Sequence, residues 1–269
     1  MIKLEEISYV KIAENLNLNP TDTLLIGADL TRLALYCKKN GEKFNISNFI
    51  DSFQTILSNG TLVIPTYTDN LKDGDTFNTK TSKPNIGALA MAAFKKENSF
   101  RTSDPFHSFA VFGKLKNEFA AINDKSTFGE NSAFALLKNN NAKMLMIDIP
   151  FNKNFTFVHY CEESTKVSWR KYKKYNITTV NYNNEIDKSE HQFYTRKIGY
   201  INHLDPLETI FEKENITTTY LLKSIPLKIF SLSAAYDRIV SDIKFNKGKN
   251  IHKFSFYELI RVIGKKIFK

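Results

Sequence analysis

Short apolar runs alternate with amphipathic stretches along most of the chain. Thr23-Leu24-Leu25-Ile26-Gly27, Thr61-Leu62-Val63-Ile64-Pro65, Phe109 to Phe112 and Met144 to Ile149 read as short buried strands. Ile46 to Leu57 places Phe49, Ile50, Phe53, Ile56 and Leu57 on one helical face, and Asn59-Gly60 stops it. Ile86 to Phe94 and the region of Ser132 to Leu137 read as further helices. Leu4, Ile7, Val10 and Ala13 share one side of Ile2 to Leu16, which predicts an opening helix broken at Asn19-Pro20-Thr21-Asp22. From Tyr175 to Tyr200 β-branched residues alternate with polar ones, the mark of an antiparallel excursion. Buried strands interleaved with helices predict an α/β fold, a three-layer α/β/α sandwich around a mixed, partly parallel sheet. No Gly-, Ser- or Pro-rich linker and no repeat interrupts the chain. The expectation is one domain over 1–269, with a peripheral part at about 175–243 and a basic amphipathic helix at about 244–269.

Composition narrows the class. Of 269 residues, 42% are apolar and 25% charged, which excludes a disordered or fibrous chain. No run approaches the roughly 18 apolar residues of a membrane span. Met1-Ile2-Lys3-Leu4-Glu5-Glu6 carries acids where a signal peptide would be apolar. The two cysteines, Cys37 and Cys161, can form neither a disulfide scaffold nor a four-cysteine zinc site, and a cytoplasmic location is expected. Gly74 and Gly87, the nearest pair of the ten glycines, are thirteen residues apart, which removes both the dinucleotide fingerprint and the P-loop.

Charge is uneven. Residues 244–269 hold eight bases and one acid, seven of the net ten positive charges, so the body is nearly neutral. Phe256, Leu259, Ile260, Ile263 and Ile267 recur there at helical spacing. Such a helix either docks on the domain with its lysines in water or leans on an anionic membrane or a partner. Nucleic acid is not expected, because no helix-turn-helix, RNP or zinc-finger pattern accompanies the bases. A second cluster, Trp169 to Tyr175, mixes bases with aromatics.

Ligands of open α/β sheets collect outside the carboxyl ends of strands. The segments so placed are Ala28 to Thr31, Thr66 to Asp69 and the chain after Ile149. Among five histidines, His159 has the most telling neighbour. Phe155 to Glu162 reads as a helix start with Thr156 placed to cap it, and His159 and Glu162 share a face at i, i+3. A carboxylate beside an imidazole holds the ring and raises its basicity, as a general base requires. The same spacing also suits a surface pair without a role. Cys161 points to another face and reads as a buried apolar residue. Zinc through His159 and Glu162 would need ligands the spacing does not supply. Arg101-Thr102-Ser103-Asp104-Pro105-Phe106-His107-Ser108-Phe109 is dense in polar groups and reads either as a loop turned at its proline or as a segment in which Arg101 holds a phosphate or carboxylate.

The order of segments carries a resemblance. Gly60-Thr-Leu-Val-Ile-Pro-Thr-Tyr67, Phe77, Pro84 to Gly87, and Arg101-Thr102-x-x-Pro105-x-x-Ser108-Phe109-Ala110-x-x-Gly113 come first. Phe128-Gly129-x-x-Ser132, Thr156-x-x-His159-x-x-Glu162 and Arg170-x-x-Lys173 follow. From about Asp22 to Lys174 the chain resembles the aminoglycoside 3-N-acetyltransferase family. The resemblance implies an α/β fold and transfer of acetyl from acetyl-coenzyme A to a sugar amine, with no metal and no covalent enzyme intermediate. It makes His159 the base and Glu162 its orienting neighbour. It suggests Ala28, Asp29, Leu30, Thr31, Arg101 and Ser108 for the coenzyme, with Ser108 or the amides of 28–31 also candidates to stabilise an oxyanion. Tyr67, Asp104 and Glu130 are the acceptor candidates. The chain departs from the antibiotic-modifying members at Gly27-Ala28-Asp29-Leu30-Thr31, where they carry a His-Ser type loop, and at Asp104, where they carry His. These departures resemble family members of surface-polysaccharide synthesis, and with the slightly basic body and the basic cluster Arg170 to Lys174, which suit anionic ligands, they direct the expectation to the amine of an amino-deoxy-sugar nucleotide. An aminoglycoside acetyltransferase and a non-catalytic ligand-binding relative are the alternatives.

Overall fold

The apolar runs alternate in side-chain direction, and this alternation builds two cores on one sheet. The computed structural model describes residues 1–267. Phe268 and Lys269, the end of the basic tail expected at 244–269, lie outside the described residues. The first half comprises β1 (Ile2–Leu4), α1 (Ile12–Asn15), β2 (Thr23–Ala28), α2 (Thr31–Lys39), α3 (Ile46–Ile56), β3 (Thr61–Pro65), β4 (Thr76–Asn78) and α4 (Ala88–Lys95). Then come β5 (Phe100–Arg101), β6 (Phe109–Gly113), α5 (Lys116–Ala120), α6 (Ala133–Asn139), β7 (Lys143–Ile147), α7 (Phe151–Asn154) and α8 (Val158–Ser164). The last part holds β8 (Arg170–Val180), β9 (Ile186–Arg196), β10 (Tyr200–Asn202), α9 (Asp205–Lys213), β11 (Thr218–Leu222), β12 (Ile225–Ser231), α10 (Leu232–Asn246), β13 (His252–Phe254) and α11 (Phe256–Ile267).

Eight strands form the central sheet in the order β1-β11-β12-β7-β2-β3-β6-β5. Its middle, β7-β2-β3, is parallel, while β12 and β6 run antiparallel to their neighbours. Leu24, Ile26, Leu62, Ile64, Leu145 and Ile147 face one way and pack on α1 to α4. Leu25, Val63, Met144 and Met146 face the other and pack on α6 to α10. The three-layer mixed-sheet architecture is therefore the fold. Side-chain caps set several helix starts: Asn45 accepts from Asn48 N at 3.1 Å, Ser132 from Ala135 N at 3.3 Å and Ser231 from Ala234 N at 3.2 Å.

Three sequence expectations change. Ile2 to Leu16 is not one helix: Ile2, Lys3 and Leu4 pair in parallel with Tyr220 to Leu222, and only a 3-10 turn at Tyr9–Lys11 and α1 remain helical. The stretch 175–243 is peripheral only in its first part, the β8–β9 hairpin. Its β11 and β12 lie within the central sheet, and β12 pairs with β7 from Leu227–Ile147 to Ser231–Lys143. Thr156 does not cap α8 with its side chain; its carbonyl accepts from His159 N at 3.0 Å instead.

One glycine is fixed by close approach. Gly113 sits at φ +107°, and a Cβ there would fall 2.3 Å from the Gly60 carbonyl oxygen. Gly113→Ala should therefore lower stability by about 1–3 kcal/mol, from backbone strain and displacement of β3 against β6. Chemical denaturation reads this, and an unchanged midpoint would refute it.

Candidate active site

Parallel strands end together, so the chain after β2, β3 and β7 converges at one edge of the sheet. There Gly27, Ala28, Pro65, Tyr67, Ile149 and Thr156 contribute to a cleft of about 270 Å³. The three segments singled out by strand-end placement are thus neighbours. Ala28 lines the cleft, while Asp29 accepts from Thr31 N at 2.9 Å and initiates α2, and Leu30 is buried. The hydrogen bond at Thr31 holds the Asp29 carboxyl below its ordinary range. The apolar floor suits a thin aliphatic arm, Lys153 on the lining offers a cation for a phosphate, and Tyr67 and Thr156 offer hydroxyls. This donor set fits coenzyme A.

Arg101 and Ser108 are placed differently from the coenzyme expectation. Arg101 is 2% exposed and donates to Thr66 O at 2.6 Å, Thr66 Oγ1 at 3.2 Å, Ser108 Oγ at 3.0 Å and the Ser82 carbonyl. Ser108 is fully buried and gives its proton to Thr66 O at 2.8 Å. Both groups tie the ends of β3, β5 and β6 together; Ser108 has no proton left for an oxyanion, and the buried Arg101 is turned inward onto these partners. Burial also lowers the Arg101 guanidinium to about 10.

A larger cleft, about 710 Å³, opens between β5–α5 and the β8–β9 hairpin. Asp104 lines it and accepts from Phe106 N at 2.9 Å and from His107 N at 2.5 Å. Glu130 lies in an adjoining recess that shares Asp124, Lys125 and Ser132 with this cleft. Tyr67, expected on the acceptor side, lines the smaller cleft beside Ala28 instead.

At the base of the hairpin stands a buried polar cluster. His159 and Glu162 share the inner face of α8, and β8 begins with Arg170 returning onto that face. His159 Nδ1 lies 2.7 Å from Glu162 Oε2. Glu162, 1% exposed, also accepts from Trp169 Nε1 at 2.7 Å and pairs with Arg170 Nε at 2.5 Å. Arg170 Nη1 donates to Tyr194 O at 2.9 Å, and Nη2 lies 2.7 Å from His159 Nδ1 and 3.3 Å from Asn202 Oδ1. Nδ1 cannot both donate to Glu162 and accept from Arg170. Glu162 has only lone pairs to offer, so a bare Nδ1 at 2.7 Å would face them in repulsion. Nδ1 therefore carries the proton. With the proton on Nδ1, Arg170 Nη2 donates to Asn202 Oδ1 and faces the Nε2 lone pair at 3.4 Å.

Electrostatics keep this ring neutral. Burial first, then the charge of Arg170, lower His159 from 6.5 to about 4, with Glu162 opposing. Burial would raise Glu162, but the His159 hydrogen bond and Arg170 outweigh it and hold the carboxyl below its ordinary range. The cluster thus contains an ionised pair and a neutral imidazole, an arrangement that can accept one proton at Nε2.

His159 itself lines neither cleft described above. It meets Phe128 edge-on at 5.5 Å, and Phe128 lies 5.1 Å from His107, ring centre to ring centre. His107 lines both clefts, is 8% exposed, and its Nδ1 has no hydrogen-bond partner. Burial, with His159 adding a smaller effect, lowers it to about 3. The sequence signal for His107 is its place in the polar run Arg101 to Ser108.

The family model described as aminoglycoside 3-N-acetyltransferase matches residues 25–243. The chain belongs to the aminoglycoside 3-N-acetyltransferase family. It is accordingly an acetyl-coenzyme A-dependent N-acetyltransferase. Among solved structures, YokD of Bacillus subtilis is 18% identical with a TM-score of 0.72, covering 90% of this chain and 94% of its own. AAC(3)-Xa is 15% identical with a TM-score of 0.74, covering 90% and 93%. AAC-IIIb, solved as a binary complex with CoASH, is 16% identical with a TM-score of 0.71, covering 94% and 98%. At these identities the likeness is one of fold. No curated protein matches the chain by sequence.

Proposed function

We propose that the chain acetylates the amine of an amino-deoxy-sugar nucleotide, with His159 as general base. The observation that carries the base is the cluster itself: a neutral imidazole whose Nδ1 is held by a buried carboxylate and whose Nε2 keeps a lone pair, with only the long 3.4 Å contact to Arg170 Nη2 beside it. Acetyl-coenzyme A supplies the activated carbonyl when bound. The residues at the strand ends, Ala28, Tyr67, Lys153 and Thr156, hold the coenzyme. The acceptor enters from the larger cleft past Asp104 and His107. His159 receives the proton that the amine sheds as it attacks, which requires Phe128 and His107, packed between the ring and the clefts, to turn aside for the acceptor, and Glu162 stabilises the resulting imidazolium. Phe128 and His107 screen the ring from bulk water.

Charge is compatible with the acceptor type. Four carboxylates line the larger cleft, and each already has an internal partner: Asp104 and Asp124 take backbone amides, Asp187 pairs with Lys125, and Glu185 accepts from Asn181. Against these four stand three cations, Lys116, Lys125 and the buried Arg101, so the lining carries one negative charge in excess. So small an excess, already held by internal partners, gives a polycation little advantage over a single amine. Acetylation of an aminoglycoside is the second reading, and the family's description favours it.

Thiol release from acetyl-coenzyme A, followed with a panel of nucleotide-linked amino sugars and a panel of aminoglycosides, tests both. The proposal expects release with the nucleotide-linked sugars. Release with aminoglycosides alone moves the chain to the second reading, and no release with any amine overturns both.

A further inference from the structure

The tail from Lys244 onward begins where the family match ends, at residue 243, and carries a surface the acetyl-transfer chemistry does not use. Its root is fixed to the body. The His252 ring stacks on Trp169 with centres 3.6 Å apart, β13 pairs with β10, and Phe254 covers Gly199. From that root α11 presents Phe256, Tyr257, Ile260 and Ile263, which are 70%, 74%, 63% and 44% exposed. Phe256, Ile260 and Ile263 fall at i, i+4 and i+7, one face of the helix. Phe245, 86% exposed, and Phe254 add apolar surface from the neighbouring elements.

The same stretch is basic. Lys244, Lys247, Lys249 and Lys253 are exposed, and none forms an ion pair among the described residues. Its one acid, Glu258, is taken by Arg261 at 2.7 Å. Exposed aromatic and aliphatic side chains beside unpaired lysines match the two components of an anionic bilayer surface, acyl chains below and phosphates above. A second copy of the chain fits less well, since it would bring another concentrated positive tail against this one. No helix among the described residues is long and apolar enough to cross a membrane, so the contact would be peripheral.

We infer that the segment from Lys244 to Ile263 docks the enzyme on an anionic lipid surface, with the α11 face in the interface and the lysines over the headgroups. This inference is independent of the acceptor reading. The test is co-sedimentation of the full chain with vesicles of phosphatidylcholine alone and of phosphatidylcholine with phosphatidylglycerol. Binding to the anionic vesicles only, weakening from 50 to 500 mM salt, is the expected result. Each Lys→Gln change at 244, 247, 249 or 253 should reduce partitioning about fivefold. The triple variant Phe256→Ser, Tyr257→Ser, Ile260→Ser should abolish it while keeping acetyl transfer at the native rate. If the triple variant misfolds, the lysine series still decides. Absence of binding to anionic vesicles, or binding equal to both vesicle types, overturns the inference. So does a dimer in sedimentation that the triple variant dissolves, because a second copy then covers the face.

Discussion

His159→Ala should reduce kcat by about 10²–10⁴-fold with little change in the KM for acetyl-coenzyme A, because the ring moves a proton and does not line the coenzyme cleft. His159→Asn is the companion variant: it keeps a donor for Glu162 but has no base, and should lose as much. The pH profile adds a second readout. The groups facing the ring are Glu162, which raises its affinity for a proton, and Arg170 and Arg196, which lower it together with burial. With the folded value depressed to about 4 from 6.5, the base form persists down the acid side, and the His159 limb should fall near pH 4. No inflection from this ring is expected near 6.5. Near-native turnover in both variants would remove His159 from the role, whereas an inflection near 6.5 that disappears with them would keep the role and refute the depressed value.

Much of this arrangement could be read along the chain, and the remainder has identifiable reasons for being hidden. β2, β3, β6 and β7 are uninterrupted apolar runs because both faces of the inner sheet are buried. β12 carries the period-two pattern Ile225, Leu227, Ile229, but Pro226 and Lys228 between them give it the look of an exposed loop. β1 was obscured for a different reason: Leu4, Ile7 and Val10 satisfy helical spacing, while the partner that makes Ile2 to Leu4 a strand lies more than two hundred residues away at Tyr220. The His159–Glu162 pair was legible because i, i+3 is a local relation. Its third and fourth members were not. Trp169 and Arg170 reach Glu162 only because the chain turns at Lys166, at φ +51°, and carries β8 back over α8. In sequence they stand in a run of bases and aromatics that suggests a solvated or anion-binding face, and of that run Lys171, Tyr172, Lys173 and Lys174 are exposed while Trp169 and Arg170 are buried. Arg101 shows the converse: an arginine in a polar segment invites a phosphate, yet here it is spent on the carbonyls and hydroxyls of its own strands.

Glu162→Ala should destabilise the fold by about 3–5 kcal/mol, a fall in Tm of roughly 10 °C, as well as stopping acetyl transfer. The carboxylate is the common acceptor for Trp169 Nε1 and His159 Nδ1 and the counter-charge of Arg170. Removing it strands a guanidinium that is 5% exposed and leaves an indole donor without a partner. Burial already lowers Arg170, and Glu162 is the largest influence opposing that shift. Loss of the carboxylate therefore leaves the cation in a site that disfavours it. The single change cannot separate structure from catalysis, but a double change can. Glu162→Met with Arg170→Met removes both charges and fills similar volume, so much of the lost Tm should return, since apolar replacement of a buried pair is often near neutral. Turnover should not return, because nothing then orients Nδ1 or balances the protonated ring. A Glu162→Ala variant that melts within a degree or two of the native chain would show that the carboxylate is solvated in solution. Recovery of turnover in the double variant would show that His159 works without an orienting charge.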